Sequence, residues 1–207
     1  MRKFLFSFMS ALMALTSCTE QIDTSARYVF KHHTMASYLD AHEDYSEYVA
    51  LTKKVTMSEV SATTVYQILT ARGNYTCFAP TNKAIHTYLD SLVSQGLIAS
   101  PTWDSFTDSA RLDSIRKVIV KNSIIDGGDL ETQRYTLAQF PTENNSEFPL
   151  PNLNDKRLTY YSPQGNPDSI YINRDCPIDE NNRDIQVLNG IIHQMHKVIA
   201  PTDVACA

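Results

Sequence analysis

The stretch YTCFAPTNKAIHTYLD, Tyr75 to Asp90, constrains the fold of this chain more than any other. Tyr75 to Phe78 reads as a buried strand. Pro80 ends it, because proline has no N–H for a ladder and disfavours a helical residue before it. Thr81 then stands at an N-cap position, where its hydroxyl accepts an otherwise orphaned amide of the first turn. Ile85, Tyr88, Leu89 and Leu92 form the apolar stripe of the helix that follows, and Gly96 suits its end. Every residue of the stretch has a structural task, and the local sequence supplies no nucleophile or acid for Asn82, Lys83 or His86 to act with.

The flanking sequence builds on this junction. Met35, Tyr38, Leu39, His42, Tyr45, Tyr48, Val49 and Thr52 recur at helical spacing and predict one amphipathic helix or two consecutive short ones. Val65, Ile68 and Leu69 mark another, closed by Gly73-Asn74. Leu112, Ile115, Val118 and Ile119 mark a third, running into the strand-like Ile124-Ile125 before Asp126-Gly127-Gly128-Asp129 turns the chain. Prolines punctuate the second half, where Arg157–Tyr161 and Ser169–Asn173 read as strands joined by the turn from Pro163 to Pro167. The Pro- and Asn-rich stretch from Phe140 to Asp155 reads as a surface insertion. Helices early and strands late predict an α+β domain. With 207 residues, 43% hydrophobic and 20% charged, the chain is large enough for one principal domain and small for two. Its formal net charge of −5 and lack of a Lys/Arg cluster argue against nucleic acid as a partner.

The N-terminus reads as a processing signal. Arg2 and Lys3 precede an apolar run from Phe4 to Leu15, too short to span a bilayer permanently. Leu15-Thr16-Ser17-Cys18 follows and resembles a bacterial lipobox, in which the Cys18 thiol takes the lipid and becomes the first mature residue. The alternative is a plain secretory signal with a coincidental cysteine. Thr19 after Cys18 resembles outer-membrane sorting. The implied organisation is a signal at 1–17, a tether at 18–33, a domain at 34–202 and a tail at 203–207. Cys77, Cys176 and Cys206 remain, so at most one intramolecular disulfide forms and one thiol is left over. Cys77, inside an apolar run, reads as a small buried hydrophobe.

A second motif closes the domain: DIQVLNGIIHQMHKVIAP, Asp184 to Pro201. Asn189-Gly190 predicts a two-residue type I′ hairpin with positive φ at both positions, pairing Leu188 with Ile191 and Gln186 with His193. Residues three apart on a strand face opposite ways, so His193 and His196 could not share a metal without a bulge. His193 reads as a packed residue bonded to the backbone. Asp126-Gly127-Gly128-Asp129 lacks the ligand spacing of a calcium loop. No metal or other cofactor is expected.

Tyr75–Ile85 and Asp184–Pro201 together resemble the two signatures of the fasciclin domain, and the resemblance covers about Thr34 to Pro201. It implies a compact, β-sandwich-like strand core with several helices packed on it. The residues matching the family motifs are Phe78, Ala79, Pro80, Thr81, Asn82, Asn189, Gly190 and His193, all read as structural. Many family members carry a Tyr-His pair where this chain has Asn122-Ser123. Asp184-Ile185 matches an Asp-Ile element that some animal members use as an integrin ligand, although its simpler reading is a strand start with Ile185 in the core. The implied function is a noncatalytic, lipid-anchored adhesion or protein-interaction module of the bacterial cell envelope, at the outer membrane or cell surface. Its partners would be the membrane, through lipid, and a surface protein or glycan. Two alternatives stand beside it: an extracytoplasmic glycan- or peptide-binding lipoprotein with a Tyr-rich surface, and one piece of a longer protein with several fasciclin domains. No GxSxG, HExxH or P-loop motif supports an enzyme. The loops Phe140–Asp155 and Asp175–Asp184 are the places where recognition is expected.

Overall fold

A computed structural model describes residues 33–200 apart from residues 130, 164, 165 and 167. The expected signal and tail, and the tether except for His33, lie outside the described residues, as do Cys18 and Cys206.

The N-terminal periodicity resolves into two short helices, α1 (Met35–Asp40) and α2 (Ser46–Lys54), separated by a 3-10 turn at Glu43–Tyr45. Thr34 caps α1, its hydroxyl accepting from Ser37 N. Helix α3 (Val65–Thr70) opens with a capping box, in which Thr64 and Gln67 satisfy each other's backbone amides. Strand β1 (Tyr75–Pro80) is buried along its whole length and passes directly into α4 (Asn82–Ser94). The Thr81 hydroxyl accepts from Ala84 N at 3.2 Å, as an N-cap requires. At the other end Gly96 takes φ +71° while Gly96 N and Leu97 N bond back to Val93 O and Leu92 O. Helix α5 (Ser109–Asn122), capped by Asp108, runs into β2 (Ile124–Asp126) with a single residue between them.

The remaining strands are β3 (Tyr160–Tyr161), β4 (Tyr171–Ile172), β5 (Cys176–Pro177), β6 (Ile185–Val187) and β7 (Gly190–Met195). They form a four-stranded sheet ordered β2-β1-β7-β6 and a three-stranded antiparallel sheet ordered β3-β4-β5. In the larger sheet β1 lies parallel to β7 and antiparallel to β2, and β6 lies antiparallel to β7. Both signatures thus meet as neighbouring central strands.

Alternation along β1 divides the interior in two. Tyr75, Cys77 and Ala79 face a core completed by the helices, with Met35, Leu39, Tyr48, Leu69, Ile85, Leu89 and Ile119. Phe78 faces the other way into a second core, which takes Ile125 and Met195 from the same sheet and Ile172 and Cys176 from the smaller one. Helices thus cover one face of the larger sheet, and the smaller sheet covers the other. This is the expected α+β, sandwich-like arrangement.

Three expectations need correction. The β6–β7 turn consists of Leu188 and Asn189, because Val187 pairs with Gly190 and Gln186 with Ile191. Neither Asn189 nor Gly190 has positive φ. Glycine is required at 190 because a Cβ there would stand 2.1 Å from Tyr75 O on β1. The segment from Phe140 to Asp155 is not confined to the surface. Phe140 and Phe148 are buried in the second core, where their rings meet edge to face at 5.0 Å. The strands expected at Arg157–Tyr161 and Ser169–Asn173 are shorter than read, since β3 and β4 pair over two residues each.

Candidate functional site

The two signatures converge on three hydrogen-bonded junctions. At the first, Asn189 joins the β6–β7 turn to the helices. Its Oδ1 accepts from Met35 N at 2.7 Å, while its Nδ2 donates to Leu69 O at 2.8 Å and Ala71 O at 2.7 Å. It is 2% exposed, and its amide answers backbone groups that the start of α1 and the end of α3 would otherwise leave unpaired.

At the second, Asn82 ties α4 to the start of α2. Its Nδ2 donates to Glu43 O and Ser46 Oγ, both at 2.9 Å, and its Oδ1 accepts from Glu47 N at 3.0 Å. His86, one turn further on, approaches Glu47 at 2.7 Å. Pro80 ends β1 opposite Met195, and Ala79 lies fully buried beside it.

The third junction is built around His193, whose side chain is fully buried. Its Nδ1 accepts from Asp184 N at 3.3 Å, so the ring proton sits on Nε2, which donates to Tyr135 O at 2.8 Å. Burial pushes its pKa below the ordinary histidine value, while the bond to Tyr135 and the nearby Asp184 oppose the shift. The imidazole stacks on Phe78 with centroids 5.5 Å apart, joining the two signatures by ring contact as well as by strand pairing. Asp184, at φ +54°, accepts from Leu137 N at 2.8 Å, and Ile185 packs against the helical core. The Asp-Ile pair therefore holds the entry to β6. His196 lies beyond β7, half-exposed and 3.0 Å from Asp179 Oδ2. The two histidines serve different partners, and among the described residues no three His, Cys, Asp or Glu side chains gather as a metal site.

Asn122 and Ser123 are buried too. Asn122 donates to Ile199 O and accepts from Asn152 and Asn154, and Ser123 Oγ lies 2.6 Å from Tyr48 OH. Tyr48 OH also lies 3.4 Å from Cys77 Sγ. Serine, cysteine and tyrosine in one cluster invite a nucleophile reading, but burial pushes the Cys77 thiol up to about 12 and the Tyr48 phenol well above its ordinary value. Protonated and sealed, these groups fill the core. Cys77 and Cys176 are both free thiols, and burial also pushes Cys176 up to about 12.

Three open concavities among the described residues border the junctions and the loops. The largest, about 470 Å³, lies beside the Leu188–Asn189 turn, with Arg72, Asn74, Arg134 and the half-exposed Leu188 in its walls. A cleft of about 260 Å³ opens between Asp168–Tyr171 and Pro177–Asn181, with His196 in its wall. A third, about 220 Å³, separates the end of α2 from α5.

The pairing of these strands and signatures has a counterpart among known domains. A model of the fasciclin domain matches residues 43–201. The chain belongs to the fasciclin family. Among solved structures it is similar to a FAS1 domain pair from the insect cell adhesion molecule fasciclin I, with a TM-score of 0.54 and 17% identity. That match covers 81% of this chain and 51% of the pair, so the chain spans about half the pair's length. At this identity the likeness concerns the fold. Comparison with curated proteins found no match. Fasciclin domains are generally adhesion or protein-interaction modules, and in this chain the signature residues at the three junctions hold helices and central strands together.

Sequence reasoning identified Thr81, Asn82, Asn189, Gly190 and His193 but missed what Asn189 and Gly190 do. It also missed the row that Tyr161, Tyr171 and Pro177 make across the small sheet, because strands of two residues carry no readable period. The Tyr160-Tyr161 pair, one ring for each face, was the available signal.

Proposed function

We propose that this chain is a noncatalytic adhesion or protein-interaction module, held at the outer membrane or surface of a bacterial cell by lipid on Cys18. The observation that carries the reading is the fasciclin domain over residues 43–201, in which the signature side chains are taken up by contacts within the fold. Buried, fully bonded side chains stabilise a scaffold. Partners must then be met by surface loops and clefts. The Leu15-Thr16-Ser17-Cys18 sequence supports anchoring by acyl chains, and no described helix is long and apolar enough to cross a membrane.

The test has two arms. Metabolic labelling with a clickable fatty acid should mark the wild-type chain and leave Cys18→Ala unlabelled; equal label on both would refute the anchor. The detergent-solubilised full chain should capture a defined protein from matrix and envelope fractions in a saturable manner, unaffected by chelator. Loss of capture with chelator, or turnover of a captured component, would refute the noncatalytic reading.

A further inference from the structure

We infer that the outer face of the small sheet is an oligosaccharide-binding platform, with Tyr161, Tyr171 and Pro177 as its floor and Glu180 and Asn181 at its rim. The inference deepens the adhesion reading by naming a ligand class and does not depend on the anchor at Cys18.

Register supplies the first observation. Tyr161 pairs with Tyr171, and Tyr171 pairs with Pro177, so the three side chains form one cross-strand row on one face. The alternate row, Tyr160, Ile172 and Cys176, turns into the second core. The outward row is half-buried. At the usual strand spacing it spans roughly 10 Å, the length of two linked pyranose rings. The tyrosine rings lie 6.2 Å apart and are inclined at 62°, so a sugar chain laid over both would twist between units. The Arg174 guanidinium lies over one face of Tyr161, 5.8 Å from the ring centroid, with its Nε donating to Asn145 Oδ1, so Tyr171 and Pro177 carry the stacking face nearest the cleft.

The second observation is the cleft of about 260 Å³ at the end of this row, for which Tyr171 and Pro177 form a wall. Its rim is preformed. Asp179 Oδ1 accepts from Asn181 N at 2.8 Å and Asn182 N at 2.7 Å, which fixes the turn presenting Glu180 and Asn181.

The chemistry selects the ligand. Sugars present an apolar C–H face, which packs on an aromatic ring, and pairs of hydroxyls, which a carboxylate or amide can engage at two points. A cationic peptide would call for free carboxylates, but Asp179 is joined to His196 at 3.0 Å and Asp168 to Arg183 at 3.1 Å. Of the three acids lining the cleft, Asp168, Asp179 and Glu180, the first two face Arg183 and His196, so Glu180 alone has no cationic neighbour among the described ion pairs, which suits a neutral, hydroxyl-rich ligand.

The detergent-solubilised full chain should be titrated by calorimetry with neutral β-linked tetrasaccharides of glucose, N-acetylglucosamine, mannose and xylose. Binding to at least one is expected, reduced roughly tenfold or more by Tyr171→Ala and by the exposed Asn181→Ala, and retained by Tyr171→Phe. Unchanged thermal unfolding of Asn181→Ala would separate contact loss from misfolding. No binding of any tetrasaccharide at about 10 mM, or binding indifferent to both alanine variants, would overturn the proposal. So would salt-sensitive binding of an Arg/Lys hexapeptide in place of sugar. Absence of tetrasaccharide binding together with a protein partner captured equally by wild type and Tyr171→Ala would leave the adhesion reading standing while removing this one.

Discussion

Gly190→Ala adds a single methyl group where two central strands are closest. The new Cβ would lie 2.1 Å from Tyr75 O, 2.9 Å from Tyr75 C and 2.8 Å from Met35 Cε. Ordinary contact needs about 3.5 Å, so β1 and β7 must part by more than roughly 1 Å at this register pair. Met35 can swing its terminal methyl away, but Tyr75 O belongs to backbone held on both sides by the ladder. Overpacking of this kind costs about 1–3 kcal/mol, and the neighbouring Tyr75 N to Asn189 O bond, 2.9 Å long, adds about 1 kcal/mol if broken. A loss near 3 kcal/mol is the expected result. Gly96→Ala provides the internal control, because Gly96 has φ +71° and nothing within 4 Å of its would-be Cβ. Its cost should be the left-handed backbone penalty alone, about 1–2 kcal/mol. Urea unfolding with unchanged m-values would give both numbers. Gly190→Asn discriminates further: a turn residue tolerates asparagine, whereas a close approach between strands rejects it as it rejects alanine. A Gly190→Asn variant as stable as wild type, or a Gly190→Ala variant milder than Gly96→Ala, would refute the packing explanation.

Asn189→Ala should cost about 2–4 kcal/mol, because it strands Met35 N, Leu69 O and Ala71 O in the interior together; thermal unfolding would show a drop far exceeding that of Thr81→Ala, about 1 kcal/mol as a lost cap. His193 is held neutral by burial, with its pKa below 6.5, so its contribution to stability is complete above that value and is lost as pH falls towards and through the folded pKa. Urea midpoints measured from about pH 7.5 to about pH 5 should therefore decline in the wild type and decline less in His193→Gln; equal slopes would contradict the assignment. Mass-tagging reagents for thiols should skip Cys77 and Cys176 in the native chain and modify both in urea, since burial pushes each thiol up to about 12; native labelling at either would contradict its burial.

The contrast between Thr81 and Gly190 shows what a single sequence can disclose. Thr81 acts on an amide three residues away, so its role was readable from order alone. The same holds for the strand that follows α5. Gly190 and Asn189 act on residues 35, 69, 71 and 75, and a dipeptide with strong local turn chemistry concealed this longer reach. Tertiary contact moved the turn by one residue and exchanged the physical reason for the glycine. Phe140 and Phe148 were hidden for a related cause. They enter the core from irregular backbone rich in proline and asparagine, where no period marks the inward positions. The parallel pairing of β1 with β7 joins segments from opposite ends of the domain, which local patterning does not encode. His193 was legible as a packed, backbone-bonded residue, though its acceptor, Tyr135 O, was not.

Signatures that hold the scaffold and loops that meet the partner make opposite demands on variants, and equilibrium binding of the captured partner separates them. Asn189→Ala, assayed below its own unfolding temperature, should bind within about twofold of wild type, whereas alanine at the exposed Glu180, Asn181 and Asn182 should weaken binding by roughly tenfold or more without lowering the unfolding midpoint. Binding abolished in folded Asn189→Ala and untouched by the loop substitutions would contradict the division of labour and place recognition at the signatures themselves.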